Sequence, residues 1–243
     1  MIPFFNDIQW GFINKIIKEK FITDNFVFIG GTALSAFHLQ HRESDDIDLT
    51  WNPIDKVPDK SDFNKIEEYM YSNFKIEDLI NIGEERERFI YQLKYGKNNL
   101  KVEFVKNLNF KFEKHITNKN TGSLKVAVIE DIFCQKLNYF SNETDNAKNA
   151  VDIHFILSKG KIKIKDYLKY LQMADDKCRQ RGFLWSQPEF LLCDQWIENF
   201  DKVNFLKEKP EIDDVRRSLL FFHNKIIEQT QVYLGHKKHY QKS

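Results

Sequence analysis

The sequence has few cysteines, almost no net charge and no long apolar run. The three cysteines (Cys134, Cys178 and Cys193) are widely spaced without a C-x-x-C pair, which argues against a disulfide framework or a zinc ribbon and fits a reducing compartment. The net charge of +1 gives no argument for a protein that coats nucleic acid. The longest uncharged stretch, residues 25–41, is too short and polar to span a bilayer, and the N-terminus lacks signal-peptide features. We expect a cytoplasmic protein with no membrane partner.

The motifs of several common enzyme classes are also missing. The sequence contains no G-x-x-x-x-G-K-[ST] phosphate-binding loop, no G-x-S-x-G nucleophile elbow and no H-E-x-x-H zinc motif. Any chemistry must therefore come from another arrangement of side chains.

The chain nevertheless has the composition of a folded protein, with 42% hydrophobic residues and 22 phenylalanines. Hydrophobic periodicity predicts an α+β fold, in which a mixed α/β part over residues 1–122 precedes an all-helical part over 123–243. A polar loop at 118–122 is the predicted boundary. Strands are predicted at 25–29, 46–51, 75–82, 88–95 and 99–106, and helices at 4–21, 32–40, 61–73, 129–140, 145–157, 163–173, 187–200 and 213–234.

Charge is unevenly distributed, because residues 1–158 are net negative and residues 159–243 are net positive. A basic C-terminal part could follow the phosphate backbone of a nucleic acid, but it is more typical of a solvated helix surface. The candidate side chains for the first interpretation are Lys161, Lys163, Lys165, Arg179, Arg181, Arg216 and Arg217.

The segment that carries chemistry contains two aspartates, Asp46 and Asp48, on one predicted strand. Strand alternation places both carboxylates on the same face and turns Ile47 and Leu49 inward. Two carboxylates that converge on one point repel each other unless a cation lies between them, and Mg²⁺ binds such oxygens together with substrate phosphates. A Gly-Gly pair at 30–31 lies between a predicted strand and a helix, where backbone N–H groups can approach an anion.

Two short motifs, G-G-T-A-L at 30–34 and R-x-S-x-D-I-D-L at 42–49, resemble those of nucleotidyltransferases with a polymerase-β-like palm. More narrowly, they resemble the AbiEii/AbiGii toxin family of bacterial nucleotidyltransferases. This resemblance implies a palm domain over 1–122 that binds Mg²⁺ or Mn²⁺ through Asp46 and Asp48. It also implies a nucleoside triphosphate site formed by Gly30, Gly31, Thr32, Arg42 and Ser44.

Such palms carry a third metal-binding carboxylate on a neighbouring strand, and the best candidate is Glu103. It alternates with Val102 and Phe104 and so shares a face with Lys101. The alternative is a structural glutamate paired with a lysine.

The resemblance extends to two later helices. Residues 130–136 resemble the family's E-D-x-x-x-x-K element, which implies that Lys136 stabilises the triphosphate. Residues 148–152 resemble its R/K-x-x-x-D element, which implies a catalytic Asp152. The structural alternatives are that Lys136 extends its ammonium group to solvent and that Asp152 pairs with Lys148 one turn away.

The resemblance implies transfer of a nucleoside monophosphate to an acceptor hydroxyl on RNA, such as a tRNA 3′ end, or on a protein. It also implies a toxin with a cognate antitoxin protein. Two other functions remain open: nucleotidyl transfer to a small molecule, as in aminoglycoside-modifying enzymes, and a non-catalytic module that binds nucleotide or RNA.

Overall fold

A computed structural model describes residues 5–52, 58–82, 88–105, 115–116, 122–142, 146–159, 162 and 188–240. The chain divides into two compact units, Met1–Val128 and Ile129–Ser243. This division falls later than the predicted boundary at residue 122, because the strand Lys125–Ala127 pairs with a strand of the first unit. Neither this short strand nor His115–Ile116 is anticipated by the sequence pattern.

The first unit is built on a mixed seven-stranded sheet, which confirms the predicted α+β fold class. The strand order is β3-β4-β5-β2-β1-β7-β6, with parallel pairing of β2 with β5 and of β1 with β7 and antiparallel pairing elsewhere. The strands are β1 (Phe26–Ile29), β2 (Ile47–Trp51), β3 (Ile76–Ile82), β4 (Arg88–Tyr95), β5 (Asn98–Val105), β6 (His115–Ile116) and β7 (Lys125–Ala127).

The helices of this unit are α1 (Asp7–Ile16), α2 (Lys20–Asn25), α3 (Gly30–Ala33, continued by a π-helical turn over Leu34–Leu39) and α4 (Lys60–Asn73). The sequence predicts one helix over 4–21, and this is wrong: the chain forms two helices separated at 17–19. The Glu19 carboxylate accepts a hydrogen bond from the Phe21 N–H and so begins a new helix.

Strand register separates an apolar face of the sheet from a polar one. Phe28, Leu49, Phe104 and Phe89 lie side by side across four strands, and the ring of Phe63 on α4 stacks on Phe89 at 4.8 Å. The next row, on the opposite face, is Ile29, Asp48, Glu103 and Ile90. Burial of the aromatic row therefore fixes which face carries the carboxylates.

The described elements of the second unit are helical: α5 (Ile129–Asn142), α6 (Ala147–Ser158), two 3₁₀ segments (Pro188–Leu192 and Gln195–Lys202) and α7 (Ile212–Tyr240). The predicted α-helix over 187–200 is wrong, because the chain forms these two 3₁₀ segments there. The predicted helix over 163–173 lies outside the described residues. In the described ranges, no helix combines the length and apolarity needed to cross a membrane.

Candidate active site

Gly30 brings the end of β1 into direct contact with Asp48. Its φ of +78° suits glycine, and a Cβ at this position would lie 2.0 Å from Asp48 Oδ2 and 2.9 Å from Asp48 Cγ. The contact follows from the register, because Ile29 lies opposite Asp48 in the antiparallel pair of β1 and β2. The backbone turn and the carboxylate thus share a space that any side chain at position 30 would fill.

Asp46 lies immediately before β2 and Asp48 is its second residue; both side chains are half-exposed, whereas Ile47 and Leu49 are fully buried. The alternation predicted from the sequence is therefore present. The Asp46 side chain is 42% exposed and Asp48 is half-buried, so both carboxylates remain accessible to a ligand.

Three side chains hold the loop that leads into β2. The Thr32 hydroxyl donates to the Asp46 carbonyl at 2.5 Å, the Ser35 hydroxyl to the Arg42 carbonyl at 2.5 Å, and Gln9 Nε2 to the Ser44 carbonyl at 2.6 Å. The Thr32 hydroxyl group has one proton, and it donates that proton to the Asp46 carbonyl. The Thr32 side chain therefore positions the loop. Gln9 and Ser35 were not anticipated from the sequence, since neither lies in a motif.

Arg42 and Ser44 converge on the second glycine of the turn. A Cβ at Gly31 would lie 2.6 Å from Arg42 Nη2 and 2.9 Å from Ser44 Oγ. The Arg42 side chain is buried, with 1% of the residue exposed, and its Nη1 donates to the Glu43 carbonyl at 2.8 Å. The first unit therefore brings together the glycine turn, Arg42, Ser44 and both aspartates, as the motif spacing predicts.

Glu103 lies directly beside Asp48 in the parallel pair of β2 and β5, but two cations hold its carboxylate. Lys101 Nζ contacts Glu103 Oε1 at 2.6 Å, and Arg88 donates to Oε2 from Nε at 2.8 Å and from Nη2 at 2.5 Å. Lys101 also donates to Asp46 Oδ2 at 3.2 Å. β5 is an internal strand, since it pairs with both β2 and β4.

The electrostatics of Lys101 follow from these contacts. Burial lowers the pKa of Lys101, but the hydrogen bond and charge of Glu103, together with the charge of Asp46, outweigh burial and raise the pKa above its ordinary value. Lys101 therefore stays charged over the physiological pH range.

Arg88 is a contributor that sequence reasoning missed, although a signal for it exists. The tight turn at Gly96 fixes the register of the β4–β5 hairpin and places Ile90 opposite Glu103. Arg88 lies two residues from Ile90 on the same face, within diagonal reach of Glu103. Counting residues back along β4 from the turn therefore identifies Arg88 as a neighbour of Glu103.

The second unit contains a buried ion pair between α5 and α6. Lys136 Nζ lies 2.8 Å from Asp152 Oδ2 and donates to Asn149 Oδ1 at 2.8 Å, with side chains 9% and 0% exposed for Lys136 and Asp152. Asn149 in turn donates to Asn146, whose Nδ2 donates to the Tyr139 carbonyl. The two residues predicted separately thus contact each other, and the structural alternative in which Lys136 extends its ammonium group to solvent does not occur.

Two of the basic residues considered for RNA contact already have carboxylate partners. Arg216 binds Asp194 through Nε at 3.1 Å and Nη2 at 3.0 Å, and Arg217 pairs with Asp214. The other five candidates, Lys161, Lys163, Lys165, Arg179 and Arg181, lie outside the described residues.

Comparison with known proteins places the chain in a family. The model of the family described as "Nucleotidyl transferase AbiEii toxin, Type IV TA system" matches residues 13–231. A crystal structure of a candidate nucleotidyltransferase from H. pylori has a TM-score of 0.50 and 17% identity and covers 93% of this chain and 99% of that chain, a likeness of fold alone. For JHP933 from Helicobacter pylori the TM-score is 0.49, at 16% identity, with 95% of this chain and 97% of that chain covered. No curated protein matches. Since the family match spans most of the sequence, the chain belongs to the AbiEii family of nucleotidyl transferase toxins of type IV toxin–antitoxin systems and is a nucleotidyltransferase.

Proposed function

We propose that this protein is a metal-dependent nucleotidyltransferase that moves a nucleoside monophosphate from a nucleoside triphosphate to an acceptor hydroxyl on RNA, with a tRNA 3′ end as the favoured acceptor and a protein hydroxyl as the alternative. It acts as the toxin of a pair with a cognate antitoxin. The observation that carries the proposal is the contact of Gly30 with Asp48, since a glycine turn against a strand carboxylate joins a phosphate-binding element to a metal ligand.

Asp46 and Asp48 are the proposed ligands of Mg²⁺ or Mn²⁺. Their accessible carboxylates are hard oxygen donors, and the absence of a side chain at Gly30 leaves room for the Asp48 carboxylate against the turn, so these residues fit such an ion. No cluster of three or more histidine, cysteine or acidic residues suited to a metal is found in the described part of the chain. Mg²⁺ commonly combines one or two protein carboxylates with phosphate oxygens of the substrate. A bound divalent ion supplies charge that stabilises the leaving pyrophosphate and favours ionisation of the acceptor hydroxyl.

The loop residues bind and orient the triphosphate. The turn at Gly30, Gly31 and Thr32 would bind the phosphates through its backbone N–H groups, and the buried guanidinium of Arg42 and the Ser44 hydroxyl group lie against the same turn. Because Arg42 is buried and its carbonyl is bound by Ser35, little side-chain entropy is lost when a phosphate binds.

The reaction is an in-line displacement at the α-phosphorus. The acceptor oxygen forms the new P–O bond, the bond to the bridging oxygen breaks, and pyrophosphate leaves. The family resemblance assigns Lys136 to the triphosphate and a carboxylate, Asp152 or Glu103, to the acceptor proton. Each of these carboxylates already has a cationic partner, Lys101 and Arg88 for Glu103 and Lys136 for Asp152.

The test is transfer of label from each α-labelled nucleoside triphosphate, with Mg²⁺, to total RNA or protein. We expect Asp46→Asn to abolish labelling because it removes one of two metal ligands. The matched control is Asp45→Asn, which changes the same residue type one position earlier at an exposed side chain and should keep activity.

Equal activity of Asp46→Asn and wild type would contradict the proposed metal site. Asp46-dependent label on RNA or on protein identifies the acceptor. Label on neither, with pyrophosphate released only when small hydroxyl compounds are added, would replace the macromolecular acceptor with a small molecule, and absence of metal binding would favour a non-catalytic module.

A further inference from the structure

Lys101 places its ammonium group between two carboxylates of the candidate site. Nζ lies 3.2 Å from Asp46 Oδ2 and 2.6 Å from Glu103 Oε1. A second metal ion that used Glu103 together with the aspartates would have to bind these same oxygens. The lysine therefore already occupies the space that such an ion needs.

The other oxygen of Glu103 is also engaged, through two donors of the Arg88 guanidinium. The Glu103 side chain is only 5% exposed, so its charge depends on these partners for compensation. Across the polar face, three carboxylates are opposed by two cations. Lys101 and Arg88 therefore already compensate two of the three carboxylate charges, and little negative charge remains to hold a second divalent ion.

We propose that Lys101 is a built-in cation that replaces a second metal ion, so that the chain binds a single divalent ion through Asp46 and Asp48. Glu103 is then a positioning residue that holds Lys101 rather than a metal ligand. This inference rests on the proposed function, because it assumes that Asp46 and Asp48 bind a divalent ion.

The test is the number of Mn²⁺ ions bound per chain by the full-length protein, measured from the loss of the free Mn²⁺ paramagnetic resonance signal. This readout needs neither nucleotide nor transfer activity. We expect one ion for wild type and two for Lys101→Met, because removing the ammonium frees Asp46 and Glu103. Lys101→Gln, which is also neutral but keeps hydrogen bonding, should likewise bind two and serves if the methionine variant does not fold.

Two further variants test whether the number of bound ions depends on the position of the Lys101 ammonium group or only on the loss of a positive charge. Arg88→Met removes a positive charge from the same Glu103 but leaves Lys101 between the carboxylates, so it should still bind one ion. The double variant Lys101→Met/Glu103→Gln lacks a ligand for the second ion and should return to one. Circular dichroism confirms that each variant is folded, and Mn²⁺ should raise the unfolding temperature of Lys101→Met more than that of wild type.

The test distinguishes failure of the single-ion inference from failure of the proposed metal site. Two ions in wild type, or one ion in a folded Lys101→Met or Lys101→Gln variant, would overturn the single-ion inference and leave the proposed function standing. No Mn²⁺ bound by wild type would overturn the proposed metal site itself, and the inference with it.

Discussion

At the scale of single residues, the candidate site depends on the absence of side-chain atoms as much as on their presence. Gly30 combines a left-handed backbone conformation with a contact that leaves no room for a Cβ. Gly96, in the β4–β5 turn, has a similar φ of +62°, but no atom lies within 4 Å of its Cβ position. A substitution at Gly96 therefore introduces backbone strain alone, whereas one at Gly30 adds a steric clash with the Asp48 carboxylate.

We expect Gly30→Ala to abolish nucleotidyl transfer, because relief of the clash requires Asp48 to move. Rotation of the carboxylate alone does not suffice, since Asp48 Cγ and Cβ would also lie 2.9 and 3.1 Å from the new atom. Gly96→Ala is the matched control: it should lose about 1–2 kcal/mol of stability from backbone strain and retain transfer. Labelling assays and urea unfolding of both variants check this, and an active Gly30→Ala variant would refute the assigned position of Asp48.

At the scale of elements, α5 and α6 are joined by a buried polar contact rather than by apolar packing alone. Lys136 on α5 meets Asp152 and Asn149 on α6. Loss of one member of such a pair leaves an uncompensated charge in the interior, which is more costly than loss of both. Removal of either partner alone therefore destabilises the second unit, whatever the part of the pair in transfer.

Lys136→Met should lower the free energy of unfolding by about 3–5 kcal/mol, and Lys136→Met/Asp152→Asn should recover part of this loss without restoring transfer. Lys148→Met, at an exposed position on α6, is the control and should change stability by less than about 0.5 kcal/mol. Urea denaturation followed by circular dichroism measures all three. If Lys136→Met were as stable as Lys148→Met, the pair would have no structural role.

At the scale of the whole molecule, the sequence predicts the strand and turn of the candidate site, but it predicts neither every helix nor the long-range strand pairing. Alternation at 46–51 and the glycine pair at 30–31 are recognisable because both are set by neighbouring residues. The position of β7 depends on pairing with β1, almost one hundred residues earlier along the chain, and no local pattern in three residues reveals it. The 3₁₀ segments at 188–202 share the apolar spacing of a short α-helix, so periodicity does not separate the two.

The distribution of charge over the molecule makes a prediction about RNA. With a net charge of +1, attraction to a phosphate backbone must come from local groups that are not already neutralised. Arg216 and Arg217 are bound to aspartates, so Arg216→Gln/Arg217→Gln should leave RNA labelling within about twofold of wild type. Lys163→Gln/Lys165→Gln should lower it and weaken its salt dependence. A larger loss for the arginine pair, measured at two salt concentrations, would show that these arginines exchange partners to bind RNA.

The order of strands in the sheet also has a consequence for synthesis of the protein. Asp46 and Asp48 leave the ribosome early, but their strand lies between β1 and β5, and β1 is itself completed by β7. Such non-local pairing forms only when all the partner strands are available. A nascent chain that ends before Lys101 lacks both Lys101 and Glu103, and one that ends before Lys125 lacks the strand that pairs with β1. Translation must therefore pass the middle of the chain before the strands that surround the candidate site can pair.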